Sequence, residues 1–280
     1  MIKEFKVSNL VREILFFILV IIISFIILLP VFWMVITSFK PVVEIFSKPP
    51  HWVPKAPTLE AYRDILSKVK YIKYFINSYF ISGVVVLVTL VLASLAAYGF
   101  SRMKIAGKQA ILFGTLVLMM FPGVVLLIPY FELANYFNLL NTYTILILVD
   151  ISFVLPFCIW MLNSYMDSIP VELEEAAFVD GCNRFSAFWR IILPLMRPGL
   201  VAVGTWAFLG AWNEFMFASI LTTGPDKAPI TVGIAEFFGQ FSMNWNAIMA
   251  VGTLASLPIM LIFIFLQRYI IQGMTAGSGK

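Results

Sequence analysis

Six long apolar segments, separated by shorter polar ones, dominate the hydrophobic pattern of the chain. An α-helix needs about 20 mostly apolar residues to cross a bilayer, and each segment reaches this length. The segments lie at residues 14–39, 74–100, 109–131, 143–166, 198–221 and 246–267. The pattern predicts an all-α membrane protein, with six transmembrane helices in a single domain over residues 1–280. The first segment exceeds the apolar core of a signal peptide, about 7–15 residues, so we expect an uncleaved membrane helix.

The composition agrees with a membrane protein. Of the 280 residues, 61% are hydrophobic and 12% are charged, whereas soluble domains have about 45–50% apolar and about 25% charged residues. Basic loops favour the cytoplasmic side of a membrane, and the short loop "SRMKIAGK" at 101–108 carries basic charges only. We therefore expect this loop, the loop at 167–197 and both termini in the cytoplasm, with a long outer segment at 40–73.

The chain offers little chemistry of its own. Cys158, Cys182 and the single histidine, His51, make neither a disulfide framework nor a metal site. The two Gly-Lys pairs, at 107–108 and 279–280, lack the other residues of a nucleotide-binding P-loop. We predict no catalytic residue, no metal site and no cofactor in this chain. The net charge of +4 comes without a Lys/Arg run, so we expect contact with membrane lipid and not with nucleic acid.

The loop at 167–197 is charged and helix-forming although it connects two apolar segments. Pro170 suits the first turn of a helix, and Gly181 is placed to end that helix with a positive φ. Acidic residues are favourable near a helix N-terminus, and this helix has three of them, Glu172, Glu174 and Glu175. A second short helix is expected to follow, carrying Phe185, Phe188 and Trp189.

Two interpretations of the first of these helices remain open. An amphipathic helix that covers lipid headgroups accounts for the aromatic residues. A docking helix for a protein partner accounts for the aromatic residues and also for the three glutamates. On a membrane surface these glutamates would lie unfavourably beside anionic lipid headgroups. The small pair Ala176-Ala177, where large apolar anchors would bind lipid better, also favours docking.

The loop resembles the EAA motif of permease subunits in binding-protein-dependent ABC importers. The resemblance is carried by Glu175-Ala176-Ala177, Gly181 and Ile191-x-Leu193-Pro194, at the spacing of the motif. It implies a cytoplasmic coupling helix, between the fourth and fifth spans, that docks in a cleft of an ATPase subunit. The residues expected to dock are Glu175, Ala176, Ala177, Asp180, Gly181, Ile191, Leu193 and Pro194.

Other stretches extend the resemblance over nearly the whole chain, to the smaller permease of the maltose-type carbohydrate importers. They are "PTLEAY" (57–62), "FINSYFIS" (75–82), "LAAYGFSRM" (95–103), "IPYFELANYFNLLNTY" (128–143), "AWNEFMFA" (211–218) and "QRYIIQGMTAGSGK" (267–280). In similar permeases the C-terminal cytoplasmic tail, here 268–280, inserts between the two ATPase subunits. This implies ATPase contacts by Gly273, Thr275, Ala276 and Gly277, although the ending "SGK" departs from the usual longer finish.

The function implied by the resemblance is that of a non-catalytic permease subunit, multi-pass in the inner (cytoplasmic) cell membrane. It would move a sugar or oligosaccharide from an extracytoplasmic binding protein into the cytoplasm. ATP and Mg would bind to a partner, a dimer of cytoplasmic ABC ATPases, and a second homologous permease subunit would complete the membrane part. The alternatives are the same importer class for glycerol phosphate esters or polyols, a stand-alone secondary transporter, and a scaffold without transport.

Ionisable residues inside membrane spans are functional candidates, and the chain has two, Asp150 and Glu214. Glu214 follows Trp212 and Asn213, and the three are either a polar lining of the substrate path or a structural hydrogen-bonding group near the outer interface. For Asp150 the structural interpretation, a hydrogen bond between helices, is favoured. No Lys or Arg lies within a span, which favours a neutral solute.

The outer segment at 222–247 joins the fifth and sixth spans. In similar permeases this loop enters the sugar cleft of the binding protein, which implies that Thr231, Gly233 and Trp245 face the binding protein. The alternative is a loop that lies on the membrane surface with Phe237, Phe238 and Trp245 as aromatic anchors.

Overall fold

The computed structural model describes residues 7–238 and 244–275, which form helices and the loops that connect them. In chain order the helices are α1 (Val7–Ser38), α2 (Val42–Ile45), α3 (Glu60–Ser67), α4 (Val69–Arg102), α5 (Lys108–Leu118), α6 (Leu127–Tyr136, after a 3-10 turn at Gly123–Leu126), α7 (Tyr143–Asp167), α8 (Glu172–Val179), α9 (Arg184–Ala187, followed by a π-helical turn at Phe188–Ile192), α10 (Leu193–Leu195), α11 (Arg197–Trp212), α12 (Met216–Leu221), α13 (Ile230–Ala235) and α14 (Trp245–Thr275).

Four of these helices, α1, α4, α7 and α14, are long and apolar enough to cross a membrane. Two bent pairs also qualify, which brings the number to six if each pair is one span. One pair joins α5 to the segment Gly123–Tyr136 with a bend of 86°, and the other joins the segment Arg184–Leu195 to α11 with a bend of 77°.

The described chain divides into two compact units. One contains the described residues up to Ser67 and those between Phe237 and Leu254, and the other contains Lys68–Glu236 and the described residues from Ala255 onward. In the first unit, Asn246 donates a hydrogen bond of 2.6 Å to the carbonyl of Lys40, and the Lys40 ammonium donates one of 2.6 Å to the carbonyl of His51. These contacts tie the start of α14 to the outer segment of that unit.

The second unit is built on α4, α7 and α11, which pack against one another. Small and branched residues fill the contact, including Val85, Ala97, Val149, Leu162 and Val203. Gly199 allows α11 to approach α7, since a Cβ at this position would lie 2.8 Å from the Tyr165 ring. Close approach through small residues is the usual way that membrane helices pack.

The predicted third and fifth spans, 109–131 and 198–221, differ from the structure because neither is a continuous helix. The third is interrupted between α5 and the segment that starts at Gly123; here Pro122 disfavours the helical conformation for the residue before it. The fifth stops at Trp212 and resumes at Met216 as α12. Both interruptions matter for the cavity described below.

Candidate functional site

The charged loop is a short helix with a defined end. The N–H of Gly181 donates to the Phe178 carbonyl at 3.1 Å, and the N–H of Cys182 donates to the Ala177 carbonyl at 2.9 Å. This pair of bonds is a Schellman motif, which requires a left-handed residue after the helix. Gly181 has a φ of +86°, so the predicted role of this glycine in ending the helix is confirmed.

A buried ion pair fixes α8 to the C-terminal end of α4. The Glu174 carboxylate accepts a hydrogen bond from Arg102 Nε at 3.0 Å and another from the Tyr98 hydroxyl. Both charged side chains are about 95% buried in this contact, with exposed fractions of 6% for Arg102 and 5% for Glu174. Arg102 also donates through Nη2 to the carbonyl of Ile169, at 2.9 Å. The Arg102 guanidinium therefore holds both α8 and the segment that precedes it.

The rest of the loop has one face that packs against the chain and one exposed face, called here the outer face. Ala177 is buried together with Ala187, Phe188 and Ile192, so this alanine packs within the chain and is not part of the outer face. The outer face is more apolar than its acidic sequence indicates, because Val179 is 88% exposed and Leu173 and Phe185 are exposed as well. Of the other residues expected to dock, five are exposed, namely Glu175, Ala176, Asp180, Gly181 and Pro194, and two are half-buried, Ile191 and Leu193.

Glu214 lies at the interruption of the fifth span and stabilises it. Its carboxylate oxygens accept hydrogen bonds from the backbone N–H groups of Phe217 and Ala218, at 2.7 and 2.9 Å. Its own carbonyl accepts from the Thr231 hydroxyl. In a continuous helix, backbone carbonyls would take those two N–H groups, so the carboxylate replaces them and starts α12 anew.

Trp212 and Asn213 lie at the same interruption, where α11 ends. The Trp212 ring is buried, stacks on Phe208 and donates through Nε1 to the carbonyl of Ala255 at 3.1 Å. The Asn213 amide donates to the carbonyl of Leu209 at 2.8 Å, one turn earlier. The Trp212 Nε1 and the Asn213 Nδ2 thus both donate to backbone carbonyls, while a role of these residues in the substrate path stays a prediction.

The loop after α12 is tied to the N-terminal third of α4. The Asn77 amide donates to the carbonyls of Pro225 and Ala228 at 3.1 and 2.8 Å, and the N–H of Ile230 donates to Ser78 Oγ at 2.7 Å. Thr231 and Gly233 are therefore parts of an ordered structure on this helix. Trp245, the third residue expected to face a binding protein, is the first residue of α14 and is 36% exposed.

Exposed ion pairs between charged side chains also hold this loop to α4. Lys70 donates to Glu236 at 2.8 Å, and the Tyr74 hydroxyl donates to the other oxygen of that carboxylate at 2.5 Å. Lys73 donates to Asp226 at 2.6 Å, and this hydrogen bond lowers the pKa of the exposed Asp226 carboxyl below its ordinary value. Exposed ion pairs of this kind contribute little to stability, so the buried Asn77 and Ser78 contacts carry more of the attachment.

Gly233 offers a direct test of this attachment. A Cβ here would lie 2.5 Å from Cδ2 of Tyr74, whose ring is buried and held by Glu236. We expect Gly233→Ala to displace α13 and to destabilise the protein by about 1–3 kcal/mol, the usual range for overpacking. Thermal unfolding in detergent measures this, with Gly83→Ala as the control, since a Cβ at Gly83 meets nothing within 4 Å. Equal unfolding temperatures for the two variants would contradict the expectation.

The predicted tail contacts lie at the end of the described chain. Gly273 and Thr275 belong to the last turn of α14. Ala276 and Gly277 lie outside the described residues.

Comparison with known proteins decides the family. Residues 89–276 match the family described as "Binding-protein-dependent transport system inner membrane component". The chain belongs to this family. As a family member it is the membrane component of a transport system and not its catalytic subunit, in agreement with the resemblance of the EAA loop.

Two similar permeases cover nearly the whole chain. The sulfoquinovosyl glycerol transport system permease protein SmoH of Agrobacterium fabrum is 35% identical over 253 residues, 90% of this chain and 89% of the relative. The trehalose/maltose transport system permease protein MalG of Thermococcus litoralis is 35% identical over 276 residues, 98% of this chain and 99% of the relative.

A solved structure shows that the fold is shared. The match is to a chain in the crystal structure of a bacterial ABC transporter involved in the import of the acidic polysaccharide alginate. It has a TM-score of 0.81 at 21% identity, and it covers 96% of this permease and 99% of that chain.

Two features of this permease were not distinguished by its sequence. The first is the burial of Glu174, which has two acidic neighbours of the same type in α8. The second is the position of Asp150, which is buried and lines a cavity. A buried ion pair and a cavity both depend on residues far away in the chain, so local patterns carry no signal for them.

Proposed function

We propose that this chain is the sugar-specific permease subunit of an ATP-driven importer, with six spans and both termini in the cytoplasm. The third span is then the bent pair of α5 and Gly123–Tyr136, and the fifth is α11 continued by α12. The basic loop at 101–108 faces the cytoplasm with the loop at 167–197. The importer would contain a second homologous permease, two copies of a cytoplasmic ABC ATPase and an extracytoplasmic sugar-binding protein. ATP and Mg would be bound by the ATPase.

The substrate class is supported by the similar permeases and by the charge of the spans. One relative is named for sulfoquinovosyl glycerol and one for trehalose and maltose, so glycosides and disaccharides are the closest guides to the cargo. No Lys or Arg lies in the predicted spans, and a phosphate ester would need such a group near its path. A neutral sugar, like those named for the trehalose/maltose relative, therefore fits better than an anion such as a glycerol phosphate ester or the sulfonate sulfoquinovosyl glycerol.

The observation that carries the proposal is the docked and capped helix α8. Its inner face is fixed to α4 by the buried Glu174–Arg102 pair, while its outer face exposes Leu173 and Val179. Exposed apolar patches with polar rims are typical of protein–protein contacts. A cytoplasmic ATPase that binds this face would move α4 with it, because the buried pair leaves the two helices few independent positions.

Helix α4 links this docking face to the opposite side of the membrane. It has 34 residues and, at 1.5 Å per residue, is about 50 Å long. Its outer end holds the loop at 222–236 through Asn77 and Ser78, and its inner end holds α8 through Tyr98 and Arg102. Movement imposed by the ATPase would thus reach the loop that is expected to meet the binding protein. The tail at 268–280 adds a second proposed ATPase contact.

Isolation of the tagged chain from its native membrane in mild detergent tests the proposal. We expect mass spectrometry to identify an ABC ATPase and a second permease in the preparation. The matched control is the chain with Val179→Asp, which places a charge on the outer face of α8 without touching the buried pair. Recovery of the ATPase with wild type, and its loss with the variant, supports docking at α8. A stable chain without an ATPase in several detergents would contradict the proposal.

A further inference from the structure

The two interrupted spans face a common cavity within the second unit. The cavity has a volume of about 350 Å³. Its walls come from the break after α5, the middle of α7 and the break between α11 and α12, and include Phe121, Asp150, Phe153, Glu214 and Phe217. Apart from the two carboxylic acids, the lining residues are apolar or glycine. A pocket with apolar walls and few polar groups is the usual form of a small-molecule site.

Asp150 is the unusual group in this cavity. It is 5% exposed, and its carboxylate takes part in none of the hydrogen bonds or ion pairs found between described residues. A buried carboxylate without a partner is costly, and inside a membrane span such residues are kept where they line a path or a site. The structural interpretation favoured from sequence, a hydrogen bond to a neighbouring helix, therefore does not describe Asp150.

Glu214 occupies the same cavity in a different state. Both of its oxygens already accept backbone N–H groups, at 2.7 and 2.9 Å, so its position is fixed by α12. Each carboxylate oxygen has a second lone pair that these bonds leave open. Glu214 is thus an acceptor fixed in position, and Asp150 is an acceptor whose full hydrogen-bonding capacity is available.

We propose that Asp150 and Glu214 bind the hydroxyl groups of a sugar on its way through the membrane. The proposal rests on the sugar-importer function proposed above. Carboxyl oxygens accept hydrogen bonds from hydroxyl groups, whether or not the acid is ionised. The Phe121, Phe153 and Phe217 side chains supply apolar surface for the C–H faces of the sugar ring.

The size of the space agrees with a sugar of more than one ring. Ligand pockets are usually about 300–1,000 Å³. A second cavity of about 420 Å³ shares the walls Met119, Phe121 and Phe153 with the first. It also contains Tyr130 and Ser152, whose hydroxyl groups lie 2.7 Å apart. A calcium or magnesium ion fits less well, because it prefers six or more oxygen ligands and the lining side chains offer two carboxyl groups.

The test uses the assembled importer in proteoliposomes, with maltose, trehalose and sulfoquinovosyl glycerol as probes. The probe that wild type takes up fastest is then measured with Asp150→Asn and with the control Glu132→Gln, an exposed carboxyl on α6 outside the cavity. We expect uptake by Asp150→Asn to fall about tenfold, because the amide offers one acceptor oxygen where the carboxyl group offers two. ATP hydrolysis stimulated by the binding protein should persist, and Glu132→Gln should behave as wild type.

The outcomes separate this inference from the proposed function. Normal uptake by Asp150→Asn overturns the inference and leaves the importer function standing. Failure of the wild-type importer to take up any sugar that its binding protein carries overturns the sugar function and the inference with it. Loss of uptake together with loss of ATPase stimulation also counts against a binding role, because the cavity lies away from the coupling loop.

A second measurement does not depend on the folding of a variant. Dicyclohexylcarbodiimide modifies carboxyl groups in apolar surroundings, and mass spectrometry locates the modification in the wild-type complex. We expect the transported probe to reduce labelling of Asp150 and to leave Glu132 unchanged. Unchanged labelling of Asp150 overturns the inference. Protection by sodium or choline chloride alone, without sugar, would assign the cavity to a cation and overturn it as well.

Discussion

Replacement of Gly181 by valine is expected to abolish ATP-driven uptake while the chain still inserts into the membrane. Gly181 holds a φ of +86°, a conformation that costs an L-residue about 1–2 kcal/mol and is rare for β-branched side chains. If the Schellman cap is lost, the end of α8 and the exposed Asp180 leave their positions on the docking face. The spans are unaffected, so the amount of chain in the membrane should stay the same. Uptake into proteoliposomes and quantitative immunoblotting of membranes measure the two effects.

Gly181→Asn is the matched control, because asparagine adopts the left-handed conformation readily. A Cβ at this position meets nothing within 4 Å, so the two side chains, similar in size, differ chiefly in backbone preference. We expect the asparagine variant to retain most of the uptake. Normal uptake with valine, or failure of the valine variant to insert, would contradict the role assigned to this turn.

Removal of Glu174 is expected to have the second large effect, on stability as well as on transport. Glu174→Ala leaves the Arg102 guanidinium buried without its carboxylate, which costs about 3–5 kcal/mol when a buried ion pair is broken. It also removes the acceptor of the Tyr98 hydroxyl. The inner end of α4 would release α8, and we expect a lower unfolding temperature in detergent and loss of the ATPase from the purified complex.

Two further variants identify the cause. Glu172→Ala removes an exposed glutamate from the same helix and should change neither measurement. The double variant Arg102→Met with Glu174→Leu should recover much of the lost stability, since an apolar pair often replaces a buried ion pair at little cost. An equal loss in Glu172→Ala would point to the acidic charge of α8 in general and would exclude a specific role for the buried pair.

The sequence was informative where local chemistry decides the structure. The end of α8 at Gly181 could be predicted because a left-handed turn has few alternatives to glycine. The long apolar helices could be predicted because a bilayer requires continuous apolar length. Family membership also followed from residues at fixed spacing, since the motif occupies a loop that has little other reason to be both charged and helical.

The interruption of the fifth span could not be predicted in the same way. Hydropathy reports only that residues 198–221 are apolar, and it does so equally for one helix and for two. The break depends on the Glu214 carboxylate, which accepts hydrogen bonds from two backbone N–H groups. It also depends on Thr231, whose hydroxyl donates a hydrogen bond to the Glu214 carbonyl. Thr231 is 17 residues away in the chain, so the stabilising partner is not visible in a local pattern.

The two intramembrane acids show the same limit. From sequence Glu214 was the better candidate for the substrate path, because polar and aromatic residues precede it. In the structure its carboxylate is engaged by backbone, while Asp150, in an ordinary apolar helix, faces the cavity without a partner among the described residues. The difference arises from the two breaks, which open space beside α7 at one level. Broken helices of this kind also occur in secondary transporters, so the energy source needs a direct test.

Uptake by the reconstituted complex, with the driving force as the variable, provides that test. Proteoliposomes that contain the co-purified complex and the sugar-loaded binding protein are supplied with ATP, with a sodium or proton gradient, or with neither. The importer function predicts uptake of the sugar carried by the binding protein with ATP alone, and no uptake when this chain is reconstituted by itself. Gradient-driven uptake by the isolated chain, unaffected by ATP, would contradict the account and establish a stand-alone transporter.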